Sequence, residues 1–348
     1  EGKKIKEELK GKEPELAKVE NQYKEFLLQI PNLPADDVKE GKDENENEVV
    51  RSWGEPKKFD FEAKDHIALG ESLNIIDIER AAKVSGPRFA YLKGDAMLLE
   101  FALVQLALET LMKEGFVPVI PPVLIKKEMM EGMGYLEHGG EEDMYVFDKD
   151  GLVLVGTSEQ TIGPMHANEV LRDLPLRYVG FSSCFRRESG SYGKDTRGIL
   201  RVHQFDKVEM FSFTKPEDSD KEHEYLLSLE EKLFQALEIP YQVVKMCTGD
   251  LGAPAARKYD LEAWMPGQGT YREVTSTSTT TDFQARRLNI KYQDGGKTEL
   301  VHILNGTAFA IGRTIIAILE NYQQKDGSVI IPEALRKWVG KDRISKTK

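Results

Sequence analysis

Cysteine is nearly absent from this chain. Only Cys184 and Cys247 occur in 348 residues, and they form no CxxC pair, so neither a disulfide framework nor a cysteine-rich zinc site is implied. Long apolar runs are missing as well. The best candidate, "AFAIGRTIIAIL", is broken by Arg313 and falls short of the about 18 apolar residues that a membrane-crossing helix needs. The opening "EGKKIKEELK" has the wrong texture for a secretory signal, and no internal repeat is found. A cytoplasmic protein with no membrane partner is therefore expected. The net charge of −11 counts against a nucleic-acid partner, DNA included, but phosphate binding requires only a local basic patch. Arg186, Arg187, Lys194, Arg197 and Arg201 supply one.

What is present fits a packed core in water: 40% of residues are hydrophobic and 31% charged. Near the start, Leu9, Leu16, Tyr23 and Ile30 recur every seven residues, a stripe that suits a partner helix or packing on the protein's own body. Gly11 and Pro14 predict a break or a fresh helix start within it. Pro31 and Pro34 end that helix, and the acidic "GKDENENE" reads as a solvated linker. The expected division is an N-terminal helical segment over 1–30, a linker over 31–60 and a main domain over 61–348. In the main domain "AMLLEFALVQLALETLMKEG" predicts a helix ending at Gly115, and "FVPVIPPVLI" an extended segment at a sheet edge or interface. Strands cluster with few helical crossovers, which predicts an α+β fold built on an antiparallel sheet flanked by helices.

Three constellations can carry chemistry. In "CFRRESGSYGKDTRGILRVHQFDKVEMFSF", a strand, a long loop and a return strand bring Arg186 and Glu188 to one edge and Arg201, His203 and Phe205 to the other. The alternation of strands predicts one face for each set. Arginine offers a fork for carboxylate or phosphate, and phenylalanine a ring for stacking on a base; cross-strand ion pairing over a core aromatic is the alternative that this hairpin alone favours. In "YREVTSTSTTTDFQARR", Glu273 and Ser276 provide the carboxylate and hydroxyl that magnesium accepts when phosphates complete its shell, or simply belong to a threonine-rich exposed strand. In "LVHILNGTAFAIGRTIIAILENYQ", Arg313 interrupts an apolar helix, so it must pair internally, snorkel or bind an anion.

"GFVPVIPP", "FRRE…RVHQF" and "GTAFAIGR" stand in the order of the three signatures of class II aminoacyl-tRNA synthetases. With "IPNLP", "TSEQT", "TGDLGAPAARKYDLEAWMPGQG" and "DFQARRLNIKY", the chain resembles the seryl-tRNA synthetase family from about residue 27 to near its end. The resemblance implies ATP-dependent activation of L-serine to seryl-adenylate. Transfer to the 3′ end of tRNA(Ser), and to that of tRNA(Sec), is implied to follow. It further implies Mg2+ with ATP, no zinc, and a homodimer formed through the "GFVPVIPP" segment.

By motif, Arg186 would bridge the serine carboxylate and the α-phosphate, with Arg187 beside it. Glu188 would contact the adenine amino group, Phe205 would stack on the ring, and Val202 would meet the nucleotide through its backbone. Arg313 would hold the far end of ATP. Glu273 would bind magnesium with Ser276, and Val274 and Thr275 complete that segment. Thr157 and Glu159 would receive the serine ammonium; Glu209, Asn305 and Thr307 would surround its hydroxyl. Neither His203 nor Cys184 is expected to be catalytic. Thr307 departs from the family, in which serine is frequent at this place, and "TSTSTTT" replaces a stretch that often carries cysteines. The family's long two-helix arm is expected to be represented only by a remnant over residues 1–30. The rival readings are a carrier-protein ligase, which favours a zinc site, and a non-catalytic scaffold, which should have lost Arg186, Glu273 or Arg313.

Overall fold

The alternation of "QFDKVEMFSFT" buries residues on both faces of a strand, and that strand forms the middle of the protein. A computed structural model describes residues 1–136, 140–189, 195 and 197–346; Lys194 of the basic patch lies outside them. Eight strands form one sheet: β1 (Glu48–Trp53), β2 (Val117–Val119), β3 (Leu176–Phe185), β4 (Gln204–Thr214), β5 (Tyr241–Lys245), β6 (Arg257–Met265), β7 (Thr270–Thr281) and β8 (His302–Ala310). Their order is β1-β5-β6-β7-β8-β4-β3-β2. Every neighbouring pair is antiparallel except β2 with β3, as the strand pattern predicts.

One face of the sheet is sealed by three helices, α3 (Asp95–Lys113), α4 (Ser219–Ala236) and α5 (Ile311–Tyr322), numbered after α1 (Gly2–Leu28) and α2 (His66–Leu73). Leu99 and Leu103 of α3, Leu233 and Phe234 of α4, and Ile315 and Leu319 of α5 share one core with Met210, Leu261, Leu304 and Phe309 of the strands. Each such side chain contributes about 1.5–3 kcal/mol relative to exposure. A helix reads clearly for α3 because its leucines recur on one side, Asp95 starts it and Lys113 ends it, matching the helix dipole. Gly115 follows with φ +86°, the left-handed turn that the sequence predicts there. The opposite face of the sheet is only partly covered, by a second cluster around Phe211, Phe213 and Ile303. What remains open forms a cleft.

The N-terminal third differs from expectation in two places. Helix α1 runs unbroken through Pro14. Leu9, Leu16, Tyr23 and Ile30 are each more than half exposed, so the carbonyl that loses its donor at Pro14 stays hydrated and the usual reason for a break is weak. The span 31–60 is not a free linker. Asn32 donates to the carbonyls of Thr280 (2.8 Å) and Pro254 (3.0 Å), and Val38 is buried in a small cluster with Val244 and Met246. Within the acidic run, Asn47 accepts from the Cys247 amide (2.9 Å) and donates to Asp250 (2.8 Å). β1 then completes the sheet edge by pairing with β5.

Candidate active site

The ladder between β3 and β4 places Phe205 opposite Cys184, Lys207 opposite Ser182 and Glu209 opposite Gly180. Phe205, Lys207 and Glu209 alternate with core residues, so all three side chains face the open side. β8 lies against β4 with a register shift after Val208, which brings Thr307 opposite Glu209; β7 contributes Ser276 and Ser278. Phe205, Lys207, Ser276, Ser278 and Thr307 line a cavity of about 420 Å³ that extends to the start of α5, and Glu209 backs it through Lys207 and Thr307.

At its inner end the cavity is polar and deeply buried. Glu209 has no exposed surface. Its carboxylate pairs with Lys207 at 2.6 Å and accepts from Thr307 Oγ1 (3.1 Å) and Asn305 Nδ2 (3.3 Å). Asn305 Nδ2 also donates to Glu159 Oε2 (2.5 Å), and the Tyr135 hydroxyl donates to Glu159 Oε1. Burial and the nearby Glu209 push the Glu159 carboxyl up to about 7. Thr157 Oγ1 is buried with no hydrogen-bond partner among the described residues. Such an orphan is costly unless a ligand or water meets it.

Toward the outer end the charges change sign. Arg313 lies in the first turn of α5, which β8 enters directly at Ala310. Its guanidinium pairs with the Glu273 carboxylate at 3.0 Å and donates to the carbonyls of Glu273 (3.2 Å) and Leu200 (3.4 Å). Burial opposes the charge on Glu273, but Arg313, Lys258, Arg186 and Arg201 outweigh it and hold the carboxyl down to about 2. Lys258, ion-paired with Asp260 at 3.1 Å, stays charged: burial disfavours its ammonium, and Asp260 more than compensates. Arg186 donates through Nε to the Gly156 carbonyl (3.2 Å) and lies 5.3 Å from the centre of the Phe205 ring. It thus touches both the Gly156–Thr157–Glu159 edge and the stacking surface. Glu188, Val202, Val274, Thr275 and Ser276 also line the cavity.

Two sequence expectations fail in detail. The ladder ends at the Phe185–Gln204 pair, so Arg186, Glu188, Arg201 and His203 lie beyond the strands and do not follow their alternation. Glu188 adopts φ +52° and pairs with Arg201 at 3.3 Å, while the His203 ring turns toward Phe89 and Tyr145. Arg187 sits outside the cavity lining, donating to the Met144 carbonyl (2.7 Å) and resting 4.6 Å from the Tyr145 ring. Sequence reading missed Lys207, Lys258 and Tyr135. The two-residue spacing of Lys207 from Glu209, and of Lys258 from Asp260, was the available signal; Tyr135 gave none.

The tRNA synthetase class II core domain (G, H, P, S and T) matches residues 145–322. The serine–tRNA ligase of Dictyoglomus turgidum is 51% identical over 347 residues, which cover 98% of this chain and 82% of that protein. The chain belongs to the seryl-tRNA synthetase family. The serine–tRNA ligase of Acidothermus cellulolyticus is 56% identical over 321 residues, covering 92% of this chain and 76% of its own. Among solved structures, seryl-tRNA synthetase from Pyrococcus horikoshii complexed with ATP aligns with a TM-score of 0.94 and 44% identity, over 99% of this chain and 83% of that one. The cytoplasmic enzyme from Naegleria fowleri, in complex with AMP, aligns with a TM-score of 0.90 and 37% identity, over 98% and 82%. A seryl-tRNA synthetase is a class II aminoacyl-tRNA synthetase, and the antiparallel sheet flanked by helices is the fold that these relatives share.

Proposed function

We propose that the chain activates L-serine with ATP to give seryl-adenylate and pyrophosphate, then transfers the seryl group to the 3′ end of tRNA(Ser) and of tRNA(Sec). The observation that carries this reading is the meeting, in one cavity, of a buried hydroxyl- and ammonium-accepting pocket with a cationic cleft. Glu159 and the unpartnered Thr157 hydroxyl receive the serine ammonium. Glu209, Asn305 and Thr307 surround the side-chain hydroxyl. Phe205 stacks on adenine, Glu188 accepts from its amino group, Val202 contacts the nucleotide, and Arg187 supports the loop from outside the cavity.

The reaction is an in-line displacement at the α-phosphorus, so charge rather than covalency must be managed. Arg186, between the Gly156 carbonyl and the Phe205 ring, is assigned to bridge the serine carboxylate and the α-phosphate, which would align the attacking oxygen and neutralise the equatorial charge. Arg313 and Lys258 offer cations to the departing pyrophosphate. Glu273 and Ser276 would hold Mg2+, with Val274 and Thr275 setting that strand; the ion supplies further neutralisation of the phosphates. Among the described residues no group of three or more His, Cys, Asp or Glu could hold a metal alone. A carboxylate and a hydroxyl are donors that magnesium accepts when ATP supplies its other ligands. No enzyme nucleophile is required, and Cys184, its thiol pushed up to about 11 by burial, stays neutral.

The exposed apolar side chains of α3 and the β2 edge, including Phe101, Val117 and Ile120, suit a second copy of the chain, so a homodimer is part of the proposal. Helix α1 is assigned to tRNA contact, with 31–60 as its docked connection to a catalytic domain over 61–348. No helix among the described residues is long and apolar enough to cross a membrane; a cytoplasmic location is part of the proposal.

Amino-acid-dependent ATP–pyrophosphate exchange tests the reading. Serine should support exchange, with alanine, glycine and threonine at least about 100-fold weaker in kcat/KM. Absence of exchange with all four sinks it. A pH series adds a second check. Glu159 binds an ammonium only when ionised, and its carboxyl titrates at about 7. Lowering the pH through 7 protonates it, so KM for serine should rise about tenfold per pH unit below that point while KM for ATP holds steady. A flat serine KM between pH 8 and pH 6 removes Glu159 from the ammonium site.

A further inference from the structure

The residues that grip the nucleotide depend on a short turn, Gly198 to Leu200, whose support comes from a residue distant in sequence. Ile199 and Leu200 line the cavity, and the Leu200 carbonyl accepts from Arg313 Nε. On its other side the turn meets His66, the first residue of α2, which is 5% exposed. The Ile199 amide donates to His66 Nε2 at 3.3 Å. An amide N–H can only donate, so Nε2 must be an unprotonated acceptor and Nδ1 must carry the ring proton.

Nδ1 faces Glu320 Oε1 at 3.4 Å. Glu320 has no exposed surface and is itself fixed by the amides of His66 (3.1 Å) and Gly267 (2.9 Å) and by the Gln268 side chain (3.0 Å). The fit against the ring is close: a Cβ on Gly198, where φ is +81°, would come within 2.1 Å of Nε2. A Cβ on Gly312, beside Arg313, would come within 3.3 Å of the Ile199 carbonyl.

We infer that His66 is a positioning residue for the nucleotide end of the site, holding the Gly198–Leu200 turn through Nε2 while Glu320 fixes its tautomer. The chain of contacts runs from Glu320 through His66 to Ile199, and from Leu200 to Arg313. It does not reach Glu209, Asn305 or Glu159, so ATP should feel its loss and serine should not. This inference rests on the proposed use of ATP.

The test measures ATP affinity by calorimetry without serine, alongside both KM values in pyrophosphate exchange. His66→Phe keeps the ring volume and removes the acceptor; the dissociation constant and KM for ATP should each rise about tenfold, and KM for serine should stay within about twofold. His66→Gln places an amide oxygen near the Nε2 position and should restore most of the loss. Equal changes in both KM values, an unchanged ATP affinity, or His66→Gln as impaired as His66→Phe would overturn the inference. Should His66→Phe not fold, Glu320→Gln, which releases the tautomer, must give the same ATP-specific rise, and its failure to do so is equally decisive. Calorimetry reads the inference even in a chain without exchange activity, so its failure and that of the proposed function are separable.

Discussion

Arg186→Ala lowers serine-dependent pyrophosphate exchange by about 10³-fold or more, against the about 10²–10³ typical of losing one transition-state donor. The expectation of a larger effect comes from its place. One edge of the guanidinium is held by the Gly156 carbonyl, 3.2 Å from Nε, and its plane lies 5.3 Å from the Phe205 ring centre. Arg186 also lines the cavity together with Thr157, Glu159 and Phe205, so the side chain is oriented before substrate arrives. Its loss removes charge and alignment together, and binding of either substrate alone cannot restore both.

Arg186→Lys should recover little and stay at least about 100-fold below the parent, because an ammonium lacks the planar fork that two oxygens on different molecules require. Both variants should melt within a few degrees of the parent, since the core on the α3–α5 side is untouched. Exchange within about tenfold of the parent in Arg186→Ala would falsify the bridging role.

How much of this was legible before the structure depends on which physical rule governed each residue. β4 was legible because a strand sends successive residues to opposite faces of its sheet, here the helix-packed core and the cavity side. The same rule fails at Arg186, Glu188, Arg201 and His203, where the ladder has ended and the backbone turns through Glu188 at φ +52°. There the loop places the side chains, and strand parity carries no information. β1 was hidden by exposure: all six of its residues are exposed, so no apolar stripe marks it, and its polar neighbours read as a connector.

The lysines were missed for a different reason. Lys is seldom buried without a partner, so a lysine within a strand carries no mark of a buried site by itself. Lys207 and Lys258 each pair with a carboxylate two positions away on the same strand, Lys207 with Glu209 in full burial and the partly buried Lys258 with Asp260. Pairs spaced by two within a strand share a face, and that spacing marks a buried ion pair once the strand is known to be central. Tyr135 and His66 have no such local mark. Their partners, Glu159 in one case and Ile199 with Glu320 in the other, are supplied by the tertiary fold alone.

Glu209 is where the second large effect is expected, and it separates selectivity from chemistry. Its carboxylate binds Lys207 at 2.6 Å, Thr307 at 3.1 Å and Asn305 at 3.3 Å, with no exposed surface. Every group that would face a serine hydroxyl is therefore oriented through this one side chain. Glu209→Ala should damage the fold itself, since an unpaired Lys207 ammonium in a buried site costs about 3–5 kcal/mol. Glu209→Gln is the informative change, because it keeps the volume and hydrogen-bonding capacity and removes only the charge.

Lys207 then loses its ion pair and turns toward whatever acceptor it can reach, and the Asn305–Thr307 geometry relaxes. KM for serine should rise about 100-fold or more with KM for ATP within about twofold. Alanine should change little, because it makes no hydrogen bond for the variant to lose. The preference for serine over alanine should thus contract by about the same 100-fold, almost entirely through the serine term. A preference that survives Glu209→Gln undiminished would move hydroxyl recognition away from β4 and β8. The remaining neighbour able to supply it is the Thr157–Glu159 edge, which would then have to read ammonium and hydroxyl together.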